Sequence, residues 1–186
     1  MNKERKRNLE NSDIRDNEDL PVIDYIDRIN KGQRITMLEV GSGECRFVKK
    51  IQKLYPNIVI TCIEINIKLA SIANSLGCAV INDSILNLSP KDKYDIVHCS
   101  HVIEHFGYPE VTKVLDFLVD SVKQEGRLIV RSPLMWKDFY LDIDHVRPYS
   151  PRTIALFYIL IVDSSKNKGL VTLNLIVFGI EPCLVS

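Results

Sequence analysis

From Ile35 onward, short apolar runs alternate with longer stretches in which apolar residues recur every three or four positions. The runs Ile35 to Val40, Ile58 to Ile63, Cys78 to Ile81, Tyr94 to Cys99, Arg127 to Arg131 and Leu170 to Phe178 predict strands. The stretches Cys45 to Leu54, Ile67 to Ser75, Pro109 to Lys123 and Pro151 to Val162 predict helices between them. Nearly continuous apolar strands separated by helices predict a doubly wound, mostly parallel α/β sheet with helices on both faces. Upstream, Val22, Ile23, Ile26 and Ile29 fall at helical spacing, so one more helix is expected, with Pro21 in its first turn and Gly32 as its stop. Residues 1–19 are almost all polar, a basic cluster from Lys3 to Arg7 preceding Glu10, Asp13, Asp16, Glu18 and Asp19. They read as a charged flexible tail ahead of a single domain over residues 20–186.

Length and composition fit this outline. A chain of 186 residues builds one α/β domain with a substantial core and little more. Hydrophobic residues at 46% and charged residues at 26% are ordinary for a globular protein. The formal net charge of zero gives no overall attraction to a polyanion, which argues against nucleic acid without excluding a local patch. The longest dense apolar run, Ile154 to Val162, has nine residues, whereas a bilayer-spanning helix needs about 20. No membrane partner is expected, and the absence of an apolar stretch after Lys3 to Arg7 predicts a cytoplasmic protein. Cys45, Cys62, Cys78, Cys99 and Cys183 form no Cys-x-x-Cys pair and read as reduced thiols packed as small hydrophobes.

The first candidate chemistry lies in Glu39-Val40-Gly41-Ser42-Gly43, a glycine turn at the carboxyl end of the first strand. Open α/β sheets bind nucleotide-like ligands at such a turn, because missing side chains let the backbone approach the ligand. A dinucleotide site places a pyrophosphate on the following helix and uses a third glycine for close helix packing. Here Arg46 stands at that third position, and Glu44 would repel phosphates or complement the helix dipole. S-adenosylmethionine has no phosphate and carries cationic sulfonium and amino groups, so an acidic loop suits it better than NAD.

These residues resemble class I S-adenosylmethionine-dependent methyltransferases, in particular the small type 11-like domains, over roughly Ile35 to Ile154. Glu39 to Gly43 is similar to the family's first motif, an acid followed by x-Gly-x-Gly. The resemblance implies a Rossmann-like sheet and S-adenosyl-L-methionine as cofactor. It makes Glu64 in TCIEIN the acid that holds the two ribose hydroxyls, a task suited to a carboxylate that accepts two hydrogen bonds. It places Asp83 in INDS near the adenine amino group, with Ile65 and Ser84 as neighbouring cofactor contacts; a turn-forming role for Asp83 is the alternative. YDIVHCSHVIEHF, Tyr94 to Phe106, resembles the fourth motif, whose end would put Ser100 and His101 in the pocket. EGRLIVRSP, Glu125 to Pro133, resembles the fifth strand, with Glu125 in place of the first of two glycines.

Methyl transfer is a displacement at a sulfonium carbon, with the reactive group supplied by the cofactor. The protein must align the acceptor, and a base helps where the acceptor is a hydroxyl. His98, His101 and His105 fall within eight residues, and His145 follows on a later loop. If the chain turns helical after Ser100, then His101, Glu104 and His105 share one face. With His145 they are the candidate catalytic residues. His98, inside the strand, reads as a core histidine. The same set offers nitrogen and oxygen donors for a divalent metal, and it resembles the Glu-x-x-Glu-His plus later His of small RNA 3′-terminal 2′-O-methyltransferases, with His101 replacing the first Glu. Direct acid/base or positioning chemistry is favoured over metal and over a purely structural hydrogen-bonded pair. Asp142, Asp144, Arg147 and Tyr149 lie on a loop expected to cover the pocket, with an Asp142–Arg147 ion pair as the structural alternative.

The preferred function is thus O-directed methyl transfer to a small molecule or glycan. A metal-dependent methyltransferase for an RNA 3′ end and a catalytically silent cofactor-binding module are the alternatives. Family members finish with an antiparallel hairpin, whereas only Leu170 to Phe178 is convincing here. Either residues 181–186 add a short strand or an apolar edge is left that invites a homodimer.

Overall fold

The computed structural model describes residues 14–135, 137–164 and 174–180. Six strands form one sheet in the order β3-β2-β1-β4-β5-β6, and every neighbouring pair is parallel. They are β1 (Ile35–Val40), β2 (Ile58–Ile63), β3 (Ala79–Ile81), β4 (Tyr94–Ser100), β5 (Val122–Pro133) and β6 (Asn174–Ile180). The helices are α1 (Ile14–Ile29), α2 (Arg46–Leu54), α3 (Ile67–Ser75), α4 (Glu110–Asp120) and α5 (Pro151–Ser164). The doubly wound expectation holds.

The two-residue period of a strand sends alternate side chains to opposite faces. On one face Met37, Ile60, Cys62, Ile96 and Ile129 pack with Val22, Ile23 and Ile26 of α1 and Phe47, Val48 and Ile51 of α2. On the other, Leu38, Val97, Cys99, Leu128 and Val130 meet Val111, Val114, Leu115 and Leu118 of α4 and Ile154 of α5. Cys45, Cys62, Cys78 and Cys99 are free and buried, and burial pushes the Cys62 thiol up, which keeps it protonated.

Three expectations change. The first helix begins at Ile14, so Ile14 to Asp19 is helical rather than part of the expected tail, and Pro21 lies inside α1. The cost of an interior proline is offset by tertiary contacts. Val22, Ile23 and Ile26 are fully buried, and Tyr55 Oη donates to Ile23 O and Asp27 Oδ1 at 3.2 and 2.8 Å. At the far end, β6 pairs parallel with β5 from Arg127↔Asn174 to Pro133↔Ile180. The last strand therefore lies directly beside β5 in parallel and begins at Asn174 rather than Leu170. Residues 181–186, Leu170 to Leu173, the basic cluster Lys3 to Arg7 and Cys183 lie outside the described residues. Finally, β5 starts five residues early, and Glu125 takes a left-handed φ of 65°. The position that family members fill with glycine does need that conformation, and here a glutamate adopts it. Among the described residues no helix is long and apolar enough to cross a membrane.

Asp95 opens β4 and ties it to β1. Its Oδ2 accepts from Thr36 N at 2.8 Å, Thr36 Oγ1 at 2.7 Å and Lys123 Nζ at 3.0 Å. Partial burial opposes the charge, yet the Thr36 hydrogen bonds and the Lys123 ammonium hold the carboxyl below its ordinary range. A lowered folded-state pKa contributes stability above the ordinary carboxylate range, and that contribution is lost as pH falls through the folded value. Asp95→Ala is expected to lower the urea unfolding free energy by about 1 kcal/mol near neutral pH. The difference from wild type should shrink in acid; a difference that grows below pH ~4 would contradict the assignment.

Candidate active site

The glycine turn is built by backbone needs. Gly41 and Gly43 have φ of 73° and 50°, in the left-handed region. A Cβ on Gly41 would overlap the Val102 side chain, so the loop after β1 and the segment after β4 touch only because this position has none. Glu64, just past β2, holds the turn in place: Oε2 accepts from Gly43 N at 2.8 Å and Oε1 from Asn66 N at 3.0 Å. Each carboxylate oxygen keeps a further lone pair for a ligand.

Two cavities meet at this turn, and Gly41 and His101 line both. One, of about 460 Å³, is bordered by Glu64, Ile65, Leu69, Asp83, Ser84 and Ile85. The other, of about 430 Å³, is bordered by Glu18, Glu39, Ser42, Ser100 and Arg131. Glu39 is held in place, its Oε2 lying 2.7 Å from His98 Nδ1. Asp83 Oδ1 accepts from Ser84 N at 2.7 Å and Asn87 Nδ2 at 2.8 Å; it forms a turn and also lines a cavity. Ser84 Oγ caps the 3₁₀ turn over Ile85–Asn87 by accepting from Leu86 N.

Beyond Ser100 the chain does not become the expected α-helix. His101 takes a left-handed φ of 54°, and a single 3₁₀ turn follows over Ile103–His105. The single helical face expected for His101, Glu104 and His105 is therefore not formed. Glu104, His105 and His145 do converge, with one donor atom from each within 4.8 Å of the others. His105 Nδ1 donates to Asp144 O at 3.1 Å and His145 Nδ1 to Phe139 O at 2.8 Å. A carbonyl can only accept, so both rings carry a proton on Nδ1. Glu104 is fully buried, and among the described residues its carboxylate oxygens have no hydrogen-bond partner. The 139–147 loop is fixed over this group through Val146 N and Arg147 N, which donate to Glu104 O at 2.9 and 3.2 Å.

The family model for a methyltransferase domain matches residues 38–128, the span that contains the turn, Glu64, Asp83 and the histidine segment. This span carries a methyltransferase domain, consistent with the class I S-adenosylmethionine-dependent methyltransferases. The fold is shared with an S-adenosylmethionine-dependent methyltransferase from Archaeoglobus fulgidus at TM-score 0.64 and 21% identity, covering 79% of this chain and 68% of that one. It is also shared with the N-methyltransferase NodS from Bradyrhizobium japonicum in complex with S-adenosyl-l-homocysteine, at TM-score 0.63 and 16% identity, covering 81% and 76%. A third similar structure is a putative sarcosine dimethylglycine methyltransferase from Galdieria sulphuraria, at TM-score 0.64 and 15% identity, covering 83% and 65%. No curated protein matches the sequence.

Within this methyltransferase, Glu39, Gly41, Ser42, Gly43, Glu64, Ile65, Asp83, Ser84 and Ser100 all border one or both cavities. The candidate catalytic residues divide. His101 stands 3.4 Å from Glu104 Oε1 and 3.8 Å from Glu18 Oε2. Burial works against its charge, but the Glu104 and Glu18 carboxylates prevail and raise its pKa to about 9. A ring protonated at neutral pH cannot take a proton, so of the acid/base and positioning roles expected for His101 those of an acid or a positioning group remain. His98 is buried as expected, yet as the partner of Glu39 rather than as an apolar filler. Asp142 lies 3.6 Å from His145 Nε2, and Arg147 sits over the Tyr149 ring, so the alternative Asp142–Arg147 pairing gives way to these contacts. Tyr149 is buried and donates to Phe106 O at 2.8 Å, a packing role instead of a substrate contact.

Arg131, Glu18 and Asp19 were not anticipated at the site. The one signal was an arginine inside the apolar run LIVRSP, since a charge in a buried strand needs a partner. Glu64→Gln is expected to weaken S-adenosylhomocysteine binding by at least tenfold in calorimetric titration while melting within a few degrees of wild type. Unchanged affinity would remove Glu64 from the cofactor site.

Proposed function

We propose that the enzyme methylates a hydroxyl oxygen of a small molecule or glycan. The observation that carries this reading is the group Glu104, His105 and His145, set beside the cavity that contains Glu64, with each imidazole oriented by its Nδ1 hydrogen bond to a backbone carbonyl. In the step, the acceptor oxygen forms a bond to the methyl carbon as the carbon–sulfur bond breaks. The hydroxyl proton passes to His105 Nε2, and S-adenosylhomocysteine leaves. The buried Glu104 carboxylate stabilises the imidazolium that results. His105 and Asp144 border the cofactor cavity, which supports His105 as the base.

The rim supports a small acceptor over RNA. Leu141 and Ile143 are 81% and 94% exposed, and Tyr108 is 81% exposed. The segment 137–147 next to it carries the acids Asp138, Asp142 and Asp144 together with Lys137 and Arg147. Nucleic-acid surfaces are strongly basic, whereas this one is apolar and of mixed charge.

A second reading has its own support. Two histidines whose Nδ1–H groups bond backbone carbonyls, with the buried Glu104 carboxylate beside them, fit a divalent transition metal. Glu104, His105 and His145 would hold it, and the cation would supply Lewis acidity toward a bound hydroxyl.

Transfer of labelled methyl from S-adenosylmethionine into extracted small-molecule and glycan fractions tests both readings. His105→Ala is expected to lower transfer about 10²–10⁴-fold at unchanged cofactor affinity, with wild-type transfer insensitive to a chelator. Loss of transfer in chelator that Mn²⁺ restores would favour the metal reading. Calorimetric binding of NAD without S-adenosylmethionine would defeat both.

A further inference from the structure

We infer that the methyl acceptor carries its accepting hydroxyl on an apolar body, an aromatic ring or an alkyl chain, and that Tyr108, Leu141, Ile143 and Val146 form the surface on which that body lies. The inference rests on the O-directed reading above and narrows its acceptor from a small molecule or glycan to one chemical class.

Apolar side chains left in water are ordinary when scattered and informative when they gather. Among the described residues, Tyr108, Met135, Tyr140, Leu141, Ile143 and Val146 are exposed and come from two segments, one following β4 and one following β5. The two segments are neighbours, since a Cβ on Gly107 would stand 3.5 Å from Val146 Cγ1. Both also reach the cofactor cavity: Phe106 and Asp144, next in the chain to Gly107 and Ile143, border it together with His105. The apolar group is therefore continuous with the place where a hydroxyl must meet the methyl group.

The loop holds these side chains in water through its own backbone. Phe139 is buried, and its carbonyl accepts from His145 Nδ1. Asp142 O accepts from His145 N and Asp142 Oδ1 from Asp144 N, each at 3.1 Å. Val146 N and Arg147 N are bonded to Glu104 O, and Asp144 O to His105 Nδ1. A surface that is apolar and already fixed gains from being covered and loses little entropy in the process. A sugar would set its hydroxyls against aliphatic side chains that cannot hydrogen-bond, and a hydroxyl taken from water without a partner is costly. The polar groups of the loop do not supply that partner. Asp142 is engaged by His145 and Asp144 N, Arg147 lies over the Tyr149 ring, and Asp138 faces Lys137.

The test uses 4-alkylphenols and 4-alkylanilines with methyl, propyl and heptyl chains, with methyl glucoside as the polar comparison. Each is titrated calorimetrically into protein saturated with S-adenosylhomocysteine. Phenol affinity is expected to rise about two- to fourfold per methylene until the surface is covered. The glucoside should bind at least about tenfold more weakly than heptylphenol. Leu141→Asn and Ile143→Asn, at exposed positions where folding is little affected, should each lower heptylphenol affinity about three- to tenfold and leave S-adenosylhomocysteine within about twofold. Val59→Thr, an exposed apolar position near the amino end of β2, should change neither affinity. Affinity that ignores chain length, or that falls as far in Val59→Thr, overturns the inference. So does a wild-type dimer that Ile143→Asn converts to monomer in sedimentation, because the apolar group then covers a second copy. Labelled methyl transfer separates the inference from the reading beneath it. Transfer to the phenols that rises with chain length supports both. Transfer to the anilines alone, with the same rise, removes the O-directed reading and keeps the apolar body. Transfer to the glucoside in preference to the phenols keeps the O-directed reading and overturns the apolar body. Where no probe is methylated, the binding series decides.

Discussion

The hydrogen bond from Gly43 N to Glu64 Oε2 joins the ends of β1 and β2 at the place where the chain must both turn and remain open. A turn of left-handed glycines has no side chains of its own to fix it. The carboxylate supplies that fixation from the neighbouring strand, and its other oxygen accepts from Asn66 N, whose side chain then caps α3. One acid therefore sets the loop, starts a helix and keeps lone pairs toward the cavity. Parallel register makes this feasible, because Val40 and Ile63 are paired and the two strands end at the same level.

The other half of the site rests on buried charge. A charge removed from water is tolerated only when it is paired and hydrogen-bonded. Asp19 meets that condition with Lys50 of α2 and Arg131 of β5, so the three charges link α1, α2 and the sheet. The pairing is incomplete by design of the geometry: Nη1 is satisfied while Nε is not. A guanidinium held on one edge loses little further rotamer freedom.

Much of the fold was legible because apolar period and turn residues agree along the chain from Ile35 to Asp120, where β1, β2 and α3 match their expected limits. The acids at strand ends were legible for the same reason: once the strands are known, Glu39, Glu64 and Asp83 fall at one end of the sheet. What sequence could not show is contact across long separations. Asp19 and Arg131 are 112 positions apart, and nothing local distinguishes Asp19 from the other acids of a polar stretch. Pro21 suggested a helix start because local propensity was the only guide, and burial of Val22, Ile23 and Ile26 overrode it. The segment after Ser100 defeated the helical reading because a left-handed histidine leaves no trace in a hydrophobic pattern.

That left-handed residue explains why histidines so close in sequence have different chemistry. His98 faces α2 from within β4 and stacks on Phe47 at 4.4 Å, where it supports Glu39. Reversing the backbone at His101 aims the next ring between Glu18 and Glu104, and both acids keep it charged. The 3₁₀ turn then carries His105 to the other side, where its Nδ1 meets a carbonyl and its ring lies 5.2 Å from that of His145. A cation at His101 offsets the buried charge of Glu104.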